Sequence, residues 1–185
     1  MMPQSPLEEQ TRDRIDDQLV LCAKSGDVAS LAALLVRGAD PMAQRCRALR
    51  QAALSGQAEC VRLLIPVSDP LAGDPSALLC ATESGHSECV ELLLAVSDPL
   101  ADASAALREA AYYGHENCVE LLLPRSDPSA RGPTGRNAAA EARYSGHASL
   151  AEFIEAWELS RHEASALSDC SAAIPPTRQP RRTAL

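Results

Sequence analysis

Four Asp-Pro pairs, at Asp40, Asp69, Asp98 and Asp127, each stand 29 residues after the one before. Between them the chain rewrites one unit. The copies are LCAKSGDVASLAALLVRGADP around Gly26, LRQAALSGQAECVRLLIPVSDP around Gly56, SALLCATESGHSECVELLLAVSDP around Gly85 and LREAAYYGHENCVELLLPRSDP around Gly114. A fifth, more divergent copy, AAAEARYSGHASLAEFIEAW, surrounds Gly146. A unit this short cannot bury its own apolar face, so a fixed period in the range of roughly 20 to 50 residues means a stack in which each unit covers the next.

The spacing predicts two short antiparallel helices per unit. Leu78 and Ala81 lie on one helical stripe, as do Leu49, Ala52 and Ala53, and Leu107, Ala110 and Ala111. Alanine on that stripe lets neighbouring helices approach closely. The central glycine ends the first helix in a left-handed turn, and Glu59 or Glu88 places negative charge in the first turn of the second. Cys89, Val90, Leu92, Leu93 and Leu94 make the second helix too apolar for a lone surface helix, which calls for cover on two sides. Ser-Asp-Pro then stops it, because proline cannot continue a helix and disfavours it in the residue before.

GHSECVELLL and GHENCVELLL resemble the second helix of ankyrin repeats, and LLVRGADP resembles the closing motif of that family. The resemblance spans residues 18–157 and recurs in register. It implies an all-α, ankyrin-like helical repeat solenoid of about five helix pairs, in a short 29-residue variant with reduced hairpins. Arg47-Ala48-Leu49-Arg50, Ser76-Ala77-Leu78-Leu79 and Ala105-Ala106-Leu107-Arg108 stand where the family has Thr-Pro-Leu-His, and the hairpin before each is three residues shorter. From Asp127 to Gly146 the usual length returns, with Gly135 at the hairpin glycine position, so one finger of ordinary size is expected there.

Around the array, residues 1–12 are polar and expected to be mobile, and residues 13–166 form the repeat domain. Its first helix is expected from Asp13 to Ser25. The fifth copy should close the core with Phe153 and Trp157. Residues 167–185 have no period, three prolines and three arginines, and read as a disordered tail.

Of the 185 residues, 46% are hydrophobic but only 3% aromatic, so the core must be aliphatic, as leucine and alanine layers in a solenoid allow. A net charge of −8 argues against nucleic acid as partner, since phosphate binding needs a cationic face. The polar start does not resemble a signal peptide and no stretch reaches the length of a membrane span, which points to a cytoplasmic protein without a membrane partner. One lysine against sixteen arginines suggests a GC-rich, bacterial source, in which secretion as an effector stays open.

Seven cysteines are spread through the helices, and Cys60, Cys89 and Cys118 occupy one slot of successive units. Stacking holds such equivalents about 8–10 Å apart, too far for zinc or a disulfide, so they read as small buried hydrophobes. His86, His115 and His147 likewise follow the repeat glycine, one position seen three times rather than a converging acid/base set. No nucleophile pair, phosphate loop or metal motif occurs, and no catalytic residue, metal site or cofactor is expected.

Recognition remains. In ankyrin-like arrays the two residues before the glycine line the concave face, and here they read Lys24-Ser25, Leu54-Ser55, Glu83-Ser84, Tyr112-Tyr113 and Tyr144-Ser145. Three of the five aromatics in the chain sit in these slots, where framework has no use for them. Tyr112, Tyr113 and Tyr144 with Arg108 and Arg143, and Glu83 and Leu54 further along, are therefore the expected contact residues for a folded protein partner. The alternative is a structural or assembly role carried by the acidic convex stripe of Glu88, Glu91, Glu116 and Glu120, or by the tail.

Overall fold

A computed structural model describes residues 6–73, 75–96 and 101–172. The Asp98-Pro99 stop, the first five residues and the tail beyond Ala172 lie outside them. Ten α-helices and no strand occur among the described residues: α1 (Pro6–Ser25), α2 (Val28–Val36), α3 (Ala43–Leu54), α4 (Ala58–Leu64), α5 (Ala77–Glu83), α6 (Ser87–Leu94), α7 (Ala101–Tyr113), α8 (Glu116–Leu122), α9 (Ala138–Tyr144) and α10 (Ala148–Ala172). They form five pairs, each turning over at a repeat glycine. The odd-numbered helices pack in series into one layer and α2, α4, α6 and α8 into a second. No described helix is long and apolar enough to cross a membrane.

The first-helix layer is the more closely packed, and its interface residues are small. Ala52, Ala53, Ala81, Ala110, Ala111, Ala139 and Ala142 are buried along it. Leu49, Leu78 and Leu107 are fully buried one turn earlier, and Val61, Leu64, Val90, Leu93, Val119 and Leu122 fill the space between the layers. The core is a run of equivalent aliphatic layers. Cys60, Cys89 and Cys118 have no exposed surface within it and carry free thiols.

Each turnover places its glycine in the left-handed region, with φ of 70°, 73° and 75° at Gly56, Gly85 and Gly114. A side chain there would be strained by conformation alone. The neighbouring repeat imposes a second constraint. A Cβ on Gly56 would come 2.6 Å from Nδ1 of His86, and one on Gly85 or Gly114 equally close to Nδ1 of His115 or His147. Gln57 takes the same place over Gly26. The residue after each glycine therefore lies on the bare backbone of the glycine before it. The Nε2–H of His115 continues across the joint and donates to the Glu83 carbonyl at 3.0 Å.

The Asp-Pro stops are local turns closed by the aspartate itself. Asp40, Asp69 and Asp127 each accept, through Oδ1, the backbone N–H two residues on, at 2.9, 3.0 and 3.0 Å. Their own N–H groups reach back to the first helix of the same repeat: Asp40 donates to Asp16 Oδ1, Asp69 to Cys46 Sγ and Asp127 to Ser104 Oγ. Without the Thr-Pro-Leu-His opening, Ser76 and Asn137 cap α5 and α9, accepting from the N–H groups of Leu79 and Ala140. The entry to α3 is less regular. Gln44, Arg45 and Cys46 form a left-handed turn with φ of 50°, 59° and 57°, held by Gln44 bonding Asp17 and Arg47 and by the burial of Cys46.

Three features differ from the sequence expectation. Helix α1 starts at Pro6, seven residues before Asp13, with proline at a first helical position where no N–H is needed. Helix α10 runs to Ala172, six residues past the expected end of the repeat domain, because nothing between 166 and 172 breaks a helix. The fifth repeat is closed by Leu150, Ala151 and Ile154; Trp157 is half-buried against the core, and Phe153 is 43% exposed. Phe153 lies one residue off the buried face of α10, so its ring borders a shallow surface pocket with Glu116, Glu120, Ser149 and Leu150.

Removing a layer residue should open a cavity between neighbouring repeats. Leu93→Ala is expected to lower unfolding free energy by about 2–5 kcal/mol in a urea titration, whereas Glu91→Ala on the exposed face should change it by no more than about 0.5 kcal/mol. Equal effects would contradict the stacking. The buried thiols add a pH dependence. Burial pushes Cys89 and Cys118 up from an ordinary value of 9.0 to about 11, with Glu88 adding to the effect at Cys89. As pH rises past 9, the unfolded chain loses these protons while the folded chain holds them, so stability should fall steadily between about pH 9 and pH 11. Substituting both thiols with alanine should flatten that part of the profile, measured as urea midpoint against pH.

Candidate functional site

The carboxyl ends of the first helices carry the slots before each glycine, where the chain turns over and side chains leave the packed layer. The residues there are correspondingly open: Leu54, Tyr112, Tyr113 and Tyr144 are 39%, 46% and 67% exposed for Leu54 with Tyr112, for Tyr113 and for Tyr144 respectively. Glu83 is half-buried. The rings of Tyr112 and Tyr113 meet edge to face at 5.1 Å between centroids, and Tyr113 stacks on His115 at 6.1 Å.

A groove of about 390 Å³ runs between α7, α9 and the loop that joins α8 to α9. Tyr112 and Tyr144 line it from the two helices, with Arg108, Glu109, Arg136 and Glu141 between them. Its outer wall is the loop from Gly132 to Arg136, the one finger of near-normal length. Gly132 donates to the Arg136 carbonyl and Gly135 to that of Gly132, both at 2.9 Å, and Gly135 adopts φ of 75°. It is a turn-closed loop without a strand ladder. Arg108 lies flat against it: a Cβ on Gly132 would fall 2.6 Å from the guanidinium Nε.

Glu141 anchors this wall. It is buried on α9, accepts from the Thr134 hydroxyl and pairs with Arg136 Nε at 3.3 Å. The same Arg136 guanidinium covers the Tyr144 ring at 3.9 Å from its centroid. One arginine thereby orients both the loop and the most exposed aromatic of the groove, and a ring held in place loses less freedom on binding.

The sequence-expected residues divide accordingly. Tyr112, Tyr144 and Arg108 come together in the groove, and Tyr113 and Glu83 lie beside it. Arg143 is turned elsewhere, in a bidentate pair with Glu155 of α10 at 2.5 and 2.6 Å that raises its own pKa and lowers that of Glu155. Leu54 sits two repeats away. Arg136, Glu109 and the 132–134 stretch escaped sequence reading because they fall outside the slots before the glycine; only the restored loop length with Gly135 marked the region.

Two arginines and two glutamates line the groove, and only Arg136 and Glu141 form an ion pair among them. Burial raises the pKa of Glu109, and the Glu83 and Glu141 carboxylates raise it further against the opposing effect of Arg108. The Tyr113 hydroxyl is raised by burial and then by Glu83 and Glu109. Among the described residues no three or more His, Cys, Asp or Glu side chains group as a metal would require.

Family models match over most of the array: ankyrin repeats in three copies over residues 19–103, and a further ankyrin repeat over residues 103–133. The chain belongs to the ankyrin repeat family. No curated protein matches it. Ankyrin repeats are in general protein–protein interaction modules, typically without enzymatic activity, and the exposed helix ends between α7 and α9 belong to such an array. The last ankyrin-like unit, α9 with α10, lies beyond the matched residues and contributes Glu141 and Tyr144 to the groove.

Because α9 holds Tyr144 and Glu141, its cap supports the groove. Asn137→Ala should destabilise the protein by about 1 kcal/mol in urea unfolding, and Asn137→Ser, which keeps a hydroxyl acceptor, should recover most of that loss.

Proposed function

We propose that this ankyrin repeat protein is a non-enzymatic cytoplasmic binding module that meets a folded protein partner on its concave, first-helix face. The contact is centred on the groove between the fourth and fifth repeats. The observation that carries this reading is the exposure of Tyr112, Tyr113 and Tyr144 at adjacent helix ends, in a chain whose repeated core positions are filled by buried Leu, Val, Ala and Cys. A large amphipathic ring at a water-facing helix end contributes little to folding. Covered by a partner, it supplies much of the free energy of binding at low entropic cost.

Arg108 supports this assignment, lining the groove against its loop wall, and Arg136 acts by holding Tyr144. Glu83 and Leu54 extend the surface towards the earlier repeats, and Arg143 belongs to its edge through Glu155. The exposed Glu88, Glu91, Glu116 and Glu120 lie on the second helices, away from the tyrosines, and keep that face solvated.

Replacing Tyr112, Tyr113 and Tyr144 together by alanine should weaken binding to the partner isolated with the wild-type protein by at least about a hundredfold, or roughly 2.7 kcal/mol. The melting temperature should move by only a few degrees. Unchanged affinity in calorimetry would assign the contact to the acidic face or the tail, and an unfolded triple variant would make the tyrosines framework.

A further inference from the structure

The groove holds two cations and they are already committed. Arg136 is paired with Glu141 and lies over Tyr144, and Arg108 donates to the Ser104 carbonyl at 3.1 Å while packed on Gly132. The carboxylates are not matched in the same way. Glu109 lines the groove half-buried beside Tyr112, and neither it nor neighbouring Glu83 forms an ion pair among the described residues. The groove thus offers aromatic faces and a carboxylate, Glu109, that has no ion pair among the described residues, with the Arg136 guanidinium held over Tyr144 and that of Arg108 against the loop.

We infer that the groove takes a basic segment of the partner protein, an extended stretch whose arginine side chain lies between Tyr112 and Glu109. The inference rests on the groove being the binding site. Its basis is charge complementarity. Guanidinium is the cation that both stacks on an aromatic face and donates to a carboxylate, and it sheds water more readily than ammonium. An acidic segment would meet Glu109 with Glu83 close by, and an apolar one would leave Glu109 desolvated without a partner. Burial and then the Glu83 carboxylate raise the pKa of Glu109 against the opposing effect of Arg108, and a further cation brought beside it would favour the charged form. The Arg136–Glu141 pair serves as a fixed wall, so the loop presents a ready groove.

The test is a selection of phage-displayed random twelve-residue peptides on the full chain, followed by titration of the selected peptides against variants. The expected result is a shared arginine in the peptides, at least tenfold weaker binding to Glu109→Gln, and no change with Glu91→Gln on the opposite face. Replacing the shared arginine by glutamine should cost wild type more than it costs Glu109→Gln, which shows that the two groups meet. Glu109→Gln preserves shape, and its melting curve reports whether it is folded. Peptides that need Tyr112 and Tyr144 but carry no shared cation and ignore Glu109→Gln would overturn this inference and leave the groove as the binding site. Peptides indifferent to Tyr112→Ala and Tyr144→Ala would overturn both, and a selection that yields none would overturn the inference of an extended segment.

Discussion

The contact on which the array depends is the one between a glycine and the side chain that follows the next glycine. Gly56, Gly85 and Gly114 are required twice over, once by a positive φ and once because an imidazole from the succeeding repeat occupies the space of a Cβ. The two demands coincide at one atom. A turn that only had to reverse the chain would accept asparagine at moderate strain, but this one is also the seat of the neighbouring repeat. With the buried alanines of the first-helix layer, it brings consecutive backbones close enough for His115 to reach the Glu83 carbonyl. Each repeat is therefore positioned by its neighbour more than by its own interior, as expected for a quasi-one-dimensional fold.

Close packing on one side of the array determines what the other positions are free to do. The side chains just before the glycine lean out of the packed layer, while the backbone there joins the stacking through the Glu83 carbonyl. They vary from Leu54 to Glu83 to Tyr112 and Tyr144 while the framework is copied. The fourth and fifth repeats add a restored loop, tied to α9 by Glu141 and Arg136, that converts two flat helix ends into a groove. The groove is thus the product of a variable slot and the wall that the restored loop builds.

The same logic explains the histidines and cysteines. Both recur in register and both could suggest chemistry in isolation. The imidazoles are spaced by the repeat and directed at backbone, and the thiols are sealed between layers where burial holds Cys89 and Cys118 protonated. Repetition places equivalent groups one repeat apart, which suits packing and denies convergence.

Period, helix pairing, the turning glycines and the buried slots are properties of local sequence repeated in register, and they were legible from the chain alone. The reasons are steric and short-range: φ at Gly85, the proline stops, and the apolar run from Cys89 to Leu94. Helix ends were less legible, because Pro6 and the residues past 166 permit helix without demanding it. The site was legible only in part. Tyrosines in the slots before the glycine could be found by register, but the direction of a long charged side chain depends on what the fold brings within reach. Arg143 and Arg136 are both arginines close to Tyr144 in sequence, and only the placement of Glu155 on α10 and Glu141 on α9 draws one away and sets the other over the ring. Local sequence determined which surfaces repeat; tertiary structure decided which charges are neutralised there, because ion pairing joins residues that the repeat period does not relate.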